Sequence, residues 1–288
     1  LTAGAQAESK FYGKMNVSAQ YDDASKAFEL KSNASRLGVK GSDDLGSVKV
    51  IYQAEYQHDV DAGGLSARDT YLGLSYGDMG TVKMGRMDTP LKKSQGKYDL
   101  FNDIVDIKQV ISGDNRADNS INYTSAKMGA IQASVSAILG EGPNDGYSAS
   151  VVYKEGDIYA AVAFDKDIPG KEVQTVRATA IYTMGDMRFG ALVNNVDAAD
   201  TADAKLAISL NASLKAGKDT FKVQVDKGDQ GKAFADNGAA AKGAMIISAG
   251  ADRKLAKSTK AFAFVAMADA DAADSDSTTF AFGLEHKF

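Results

Sequence analysis

A two-residue rhythm runs through nearly the whole chain, and it limits the possible folds more than any other feature. In "KFYGKMNVSAQY" (10–21), Phe11, Gly13, Met15, Val17, Ala19 and Tyr21 are apolar or small, while Lys10, Tyr12, Lys14, Asn16, Ser18 and Gln20 are polar or polar-tipped. Side chains alternate faces along a strand, so this period marks a β-strand with one oily and one wet face. The rhythm returns in "SVKVIYQAEYQ" (47–57, with Ile51 an exception), "AIQASVSAI" (130–138), "TVRATAIYT" (175–183), "KLAISLNASLK" (205–215) and "TFAFGLEHKF" (279–288). No segment sustains a 3.6-residue period, and the chain reads as all-β. A soluble sheet would bury the oily face; a membrane barrel would turn it outward.

Connections discriminate between these. From the middle onward, tight turns such as "KEGD" (154–157), "TMGD" (183–186) and "AGKD" (216–219) alternate with longer polar loops at 139–146, 165–173, 195–203, 227–243 and 268–277. Strict alternation of short and long connections describes an up-and-down meander with one short-looped and one long-looped rim, the form of a transmembrane barrel, whereas Greek-key sandwiches do not sort their loops this way. The longest apolar run, "AFAFVAMA" (261–268), is strand length, well short of the ~18–20 residues of a spanning helix. The reading is a sixteen-stranded antiparallel transmembrane β-barrel with strands near 10–21, 33–41, 47–58, 66–76, 80–87, 118–126, 129–138, 147–154, 157–165, 173–183, 186–195, 204–216, 219–227, 243–254, 259–268 and 277–288. An even number closes the sheet and leaves no unpaired edge in hydrocarbon. Phe28 and Leu30 share parity with Arg36, which requires a bulge or loop between them. The poor alternation of "RDTYLGLSY" (68–76) is expected where a wall is covered by protein instead of lipid. At sixteen strands the lumen is too wide for side chains to fill, so the polar face lines water.

Composition removes other classes. There are no cysteines, hence no disulfides, thiolate metal sites or thiol nucleophiles. A net charge of −5 argues against nucleic acid as a partner. His58 and His286, the two histidines, have lipid-facing parity and no zinc-like spacing. Nothing sets a histidine beside a nucleophilic serine or cradles a phosphate, so neither an enzyme nor a cofactor is implied. Residues 1–7, "LTAGAQA", end in the small-x-small pattern of a signal-peptide cleavage site, and the barrel is expected over 8–288.

One connection, 88–117, breaks the pattern. It carries Asp88, Asp99, Asp103, Asp106 and Asp114 among Leu100, Phe101, Ile104, Val105, Ile107, Val110 and Ile111. A loop in bulk solvent would not need that apolar content. Folded inward, it would bury its oily residues on the wall and hold Asp99, Asp103 and Asp106 across the bore. Basic residues of lumen parity (Lys14, Arg36, Lys40, Lys49, Arg68), with Arg116 at the loop's return, would face it. Such a transverse field admits small polar solutes and resists apolar ones.

The order "FYGKMNVSAQY", "SRLGVKGSDDLG", "RDTYLGLSYGDMGTVKMGR", "YDLFNDIV", "DNRADNSINY" and the terminal "GLEHKF" resembles the general diffusion porin family of Gram-negative outer membranes. The resemblance implies homotrimers of sixteen-stranded barrels in the outer membrane, among its lipid and lipopolysaccharide, passing small hydrophilic solutes and ions by passive diffusion. By motif it assigns Lys14, Arg36, Arg68 and Arg116 to the basic cluster, with Arg86 close by. It assigns Asp99 and Asp103 to the acidic loop, and makes Phe288 part of an assembly signal. The "PEFGG" turn of enterobacterial members is replaced by "DIVDIK". An alternative within the same architecture is a substrate-selective channel, with Tyr12 and Tyr98 as stacking surfaces; a soluble β-rich adhesin or structural protein is the third reading.

Overall fold

In the computed structural model, residues 8–140, 145–168, 170–198, 204–229, 243–269 and 276–288 are described. The expected cleavage remnant at 1–7 and the middles of several long loops (141–144, 199–203, 230–242, 270–275) lie outside these residues. The chain forms one antiparallel sheet that closes on itself. Its strands are β1 (Glu8–Asp22), β2 (Ala27–Ser32), β3 (Arg36–Asp44), β4 (Lys49–His58), β5 (Leu65–Ser75), β6 (Thr81–Asp88), β7 (Arg116–Thr124), β8 (Ile131–Ile138), β9 (Gly146–Glu155), β10 (Ile158–Lys166), β11 (Val173–Met184), β12 (Met187–Ala198), β13 (Lys205–Ala216), β14 (Asp219–Gly228), β15 (Met245–Lys254), β16 (Thr259–Asp269) and β17 (Ser277–Lys287). β1 meets β17 in register from Lys14 opposite Lys287 to Asp22 opposite Thr279, which seals the barrel.

Seventeen segments make sixteen barrel strands because β2 and β3 are two halves of one. β1 pairs with β2 from Val17 onward and with β3 up to Lys14. The interruption at Asn33–Ser35 is the irregularity that the parity of Phe28, Leu30 and Arg36 requires. It is held by side chains: the Asn33 amide donates to Ser18 Oγ at 2.9 Å, and Ser35 Oγ accepts from the Asn16 backbone N–H at 2.9 Å. Ala34 takes the left-handed conformation there, at φ +49°.

The burial pattern is inverted relative to a soluble sheet. Along β11, Thr175, Arg177 and Thr179 are buried while Val176, Ala178, Ala180 and Tyr182 are exposed; Arg177 has no exposed surface and Val176 is 47% exposed. The outward set forms an oily belt that hydrocarbon can cover, and the ladder satisfies the backbone groups behind it. Two-residue turns at one rim place Gly156, Gly185 and Gly217 at φ +53°, +61° and +63°, a region glycine enters without a Cβ clash.

A bulge accounts for the broken rhythm at the start of "RDTYLGLSY". Ala54 pairs with Thr70 and Tyr56 with Ala67, so Arg68 and Asp69 together oppose the single residue Glu55. The extra residue shifts parity by one. Arg68 and Asp69 consequently both line the lumen, though consecutive strand residues ordinarily face opposite sides.

The apolar core lies inside the barrel, beneath the connection between β6 and β7. Tyr98, Phe101, Val105, Ile107, Val110 and Ile111 of that loop pack on Leu192, Ala207, Ile246, Phe262, Phe264 and Ala281 of the inner wall. This accounts for the run "AFAFVAMA": Val265 and Met267 belong to the outward set, and Phe262 and Phe264 meet the loop.

Candidate functional site

The loop enters the lumen through a short helix, α1 (Pro90–Ser94). Thr89 caps it, its Oγ1 accepting from the Lys92 backbone N–H at 3.2 Å, and Pro90 supplies a first-turn residue that needs no amide partner. The wall grips the helix and the residues beyond it. Ser148 Oγ accepts from the Leu91 N–H at 3.1 Å, and the Tyr159 hydroxyl donates to the Ser94 carbonyl at 2.7 Å. The Tyr98 hydroxyl donates to Ser209 Oγ at 2.8 Å, and the Asn211 amide donates to the Tyr98 carbonyl at 2.8 Å. Lys222 Nζ donates to the Leu100 carbonyl at 2.9 Å, and the Arg188 guanidinium donates to the Lys97 carbonyl. Phe101 and Tyr98 have no exposed surface; burying such a ring contributes about 1.5–3 kcal/mol. At the return, Arg177 clamps the chain: Nη1 to Asp114 Oδ1 at 2.8 Å, Nη2 to the Ser112 carbonyl at 2.6 Å and Nε to Asn194 Oδ1 at 3.0 Å.

Two wall glycines make room for the two aromatic anchors. A Cβ at Gly190 would lie 2.8 Å from the Tyr98 ring, and one at Gly250 would lie 3.1 Å from the Phe101 ring and 2.7 Å from the Ala263 carbonyl oxygen. The loop path therefore depends on missing side chains as much as on those present.

The tip of the loop carries Asp103, at φ +68°, a conformation aspartate tolerates better than most residues. Its Oδ2 lies 2.6 Å from Lys14 Nζ on β1 and 3.6 Å from Arg36 Nη1 on β3. Burial works to raise its pKa, but Lys14 and Arg36, with Arg68 behind them, outweigh it and hold the carboxyl below its ordinary range. Glu285 of β17 approaches Lys14 from the other side at 3.7 Å.

The structure does not bring the other expected acids to that wall. Asp99 turns into the loop and the β14 wall, accepting from the Phe101 N–H at 2.9 Å, the Ile107 N–H at 3.1 Å and the Gln224 amide at 3.1 Å. Burial, then Asp106 and Asp226, push its pKa up to about 8. Asp106 caps a short 3₁₀ turn (Ile107–Gln109) through the Lys108 N–H at 3.0 Å and pairs with Lys108 Nζ at 3.2 Å. Both acids line the lumen beside Asp103, but among the described residues neither makes an ion pair with the opposite wall.

The basic residues divide as well. Lys14, Arg36, Arg68 and Arg116 line the passage; Lys40 and Arg86 line neither of two cavities along it, of about 1030 and 440 Å³. Lys40 Nζ sits 5.0 Å from the centre of the Tyr12 ring, and Arg86 Nη1 pairs with Asp118 at 2.6 Å. Lys49 pairs with Asp44 at 3.5 Å. The wall also carries its own acids: Arg68 Nε meets Glu55 at 2.7 Å, and Arg116 meets Asp69 at 2.7 Å and Asp88 at 2.8 Å. Glu55 has lumen parity in "SVKVIYQAEYQ" and was accessible to the pattern; Asp69 reaches the lumen only through the bulge. Arg177, also of lumen parity, carried no signal for its role as the clamp of the loop.

A family model described as Gram-negative porin matches residues 1–286. Among curated proteins none matches the chain. Among solved structures, the anion-selective porin from Comamonas acidovorans is similar at 21% identity and TM-score 0.81, over 98% of this chain and 100% of that one. OmpF of Salmonella typhi, in complex with daunomycin, is similar at 15% identity and TM-score 0.80, over 99% and 98%. In-vitro folded OmpT of Vibrio cholerae, in its trimer form, is similar at 16% identity and TM-score 0.76, over 98% and 99%. At these identities the structural likeness is one of fold.

Proposed function

The chain belongs to the Gram-negative porin family and is an outer-membrane barrel, and on that premise we propose that residues 88–117 form the constriction of a water-filled passage for small hydrophilic solutes and ions. Asp103 of the loop and Lys14, Arg36, Arg68 and Arg116 of the wall set its size and charge selectivity. The contact that carries this reading is Asp103 reaching Lys14 and Arg36 across the lumen, at the border of the two cavities. Opposed charges at a narrow point orient water along the field, so an apolar solute must displace ordered water while a polar one exchanges with it. Passage is passive, a reading supported by the porin family and the open barrel fold.

The working unit is a homotrimer, its oily outer face shared between lipid, lipopolysaccharide and sister subunits. Support comes from the exposed apolar belt and from the trimer form of the Vibrio cholerae relative. The selective-channel alternative loses half its aromatic basis, since Tyr98 is sealed under the loop and only Tyr12 lines the passage. Planar-bilayer recording on purified protein tests the reading. Ohmic current in steps of three, unblocked by sugars, is expected; current that saturates with a single solute would favour the alternative, and absence of current would refute a pore.

A further inference from the structure

The charge balance of the lumen is opposite in sign to that of the chain. The whole sequence has 33 Lys and Arg against 38 Asp and Glu. Among the described residues, the larger cavity is lined by ten Lys and Arg against six Asp and Glu. Its acids are all tied up. Asp103 and Glu285 hold Lys14, Asp88 holds Lys92 and Arg116, Asp106 holds Lys108, and Asp114 holds Arg177. Asp99 accepts backbone N–H groups. Eight of the ten cations are in turn paired with a carboxylate.

The two exceptions are Lys93 and Lys97. Both are exposed to the cavity, and neither ammonium group makes an ion pair or hydrogen bond among the described residues. They sit four residues apart across the turn at Gly96, on the segment that the Tyr159 hydroxyl and the Arg188 guanidinium hold to the wall. The charge left over in the lumen is therefore positive: Lys93 and Lys97 have no carboxylate on one fixed ledge, and Lys14, Arg36 and Lys287 share only Asp103 and Glu285. Arg116, Arg68 and Arg36 continue from the larger cavity into the smaller one.

From this we infer that small anions, inorganic ions and short carboxylates among them, are the preferred solutes of this passage, with Lys93 and Lys97 as the residues that set the preference. Uncompensated Lys and Arg raise the local concentration of anions and lower that of cations, while already paired groups contribute mainly dipoles. The inference rests on the porin reading, and its test separates the two.

Reversal potentials of the purified channel are measured in a KCl gradient for the parent protein, for K93Q/K97Q, and for K127Q/K154Q, which alters two lysines that line neither cavity. The parent is expected to pass chloride better than potassium. K93Q/K97Q should lower the chloride-to-potassium permeability ratio by about two-fold or more, the effect of one unit charge about 10 Å from the ion path in water. K127Q/K154Q should leave the ratio as it is. In liposome swelling, K93Q/K97Q should slow succinate entry relative to that of the neutral sugar arabinose. A potassium-preferring parent, or an unchanged ratio in K93Q/K97Q, overturns the inference and leaves the pore intact. A folded protein that carries no current overturns both.

Discussion

Lys14 Nζ and Asp103 Oδ2 are 2.6 Å apart, although 89 residues separate them in the chain. Among the described residues, Asp103 is the acid at the loop's tip that pairs with the basic cluster of β1 and β3, because Arg68 and Arg116 have other acids beside them. Asp103→Asn is therefore expected to shift permeability toward anions by several-fold, the order of a unit charge a few ångströms from the ion path. Asparagine also tolerates the left-handed backbone at this position, so the change tests charge and not loop geometry. The pH dependence is set by the depressed pKa. The ion pair is fully present above the unfolded value of about 3.9 and is lost as pH falls through the folded value. Reversal potential should reflect an intact pair down to about pH 4 and move toward anions below it. A reversal potential unchanged by Asp103→Asn would remove Asp103 from the constriction.

Asp99 is expected to behave differently, though the family pattern treats the two acids alike. Burial, reinforced by Asp106 and Asp226, raises its pKa to about 8, so at pH 7 the group is mostly protonated. Asp99→Asn should then change ion selectivity at pH 7 far less than Asp103→Asn. The folded state holds this proton above the ordinary carboxylate pKa, so loop anchorage weakens as pH rises from about 4 towards 8. A small selectivity step near pH 8 in the parent protein, absent from Asp99→Asn, is the signature. Equal effects of the two substitutions at pH 7 would contradict this assignment.

Strand positions were legible because a barrel wall repeats one simple rule, polar in and apolar out; every observed barrel strand begins and ends within three residues of its expected place, β2 apart. Closure and the loop's descent were legible too, since the oily residues of 88–117 needed a surface. The pattern lost the thread where backbone irregularity changed parity. The bulge opposite Glu55 turns Asp69 inward, where it pairs with Arg116. Spacing could not show which acid of the loop reaches across, because Asp99 and Asp103 differ in backbone conformation, not in surroundings along the sequence. Nor could it separate paired from unpaired lysines, a property of three-dimensional proximity alone.

Arg177 and Asp114 form an ion pair with side-chain exposures of 0% and 3%, at the root of the loop's return. Arg177→Met removes the guanidinium and leaves a buried carboxylate with no cation at contact distance. Breaking such a pair typically costs about 3–5 kcal/mol. The variant should melt at a lower temperature and show a noisier open channel, because the released segment samples positions in the lumen. Adding Asp114→Asn should recover much of the loss by removing the stranded charge. A single variant as stable as the parent would show that the clamp is dispensable.

The glycines beneath Tyr98 and Phe101 offer a way to move the loop without touching it. At Gly190 a Cβ would press on the Tyr98 ring and on Asn211, whose amide donates to the Tyr98 carbonyl; at Gly250 it would press on Phe264 and Phe101. Two isopropyl groups, from Gly190→Val and Gly250→Val, cannot fit without displacing both anchors, and overpacking of this kind costs about 1–3 kcal/mol per site. The substitutions press chiefly on the inward face of the wall, although at Gly250 the Ala263 carbonyl of β16, 2.7 Å from the new Cβ, must yield as well. The loop should ride away from its seat, and the ion pair between Asp103 and Lys14 should stretch with it. Single-channel conductance is the readout. A changed conductance, with heat-modifiable migration retained on gels, would tie passage size to the seating of these two rings. Parent-like conductance and selectivity in the folded double variant would mean that the loop's position is set at its ends by Thr89 and Arg177 alone.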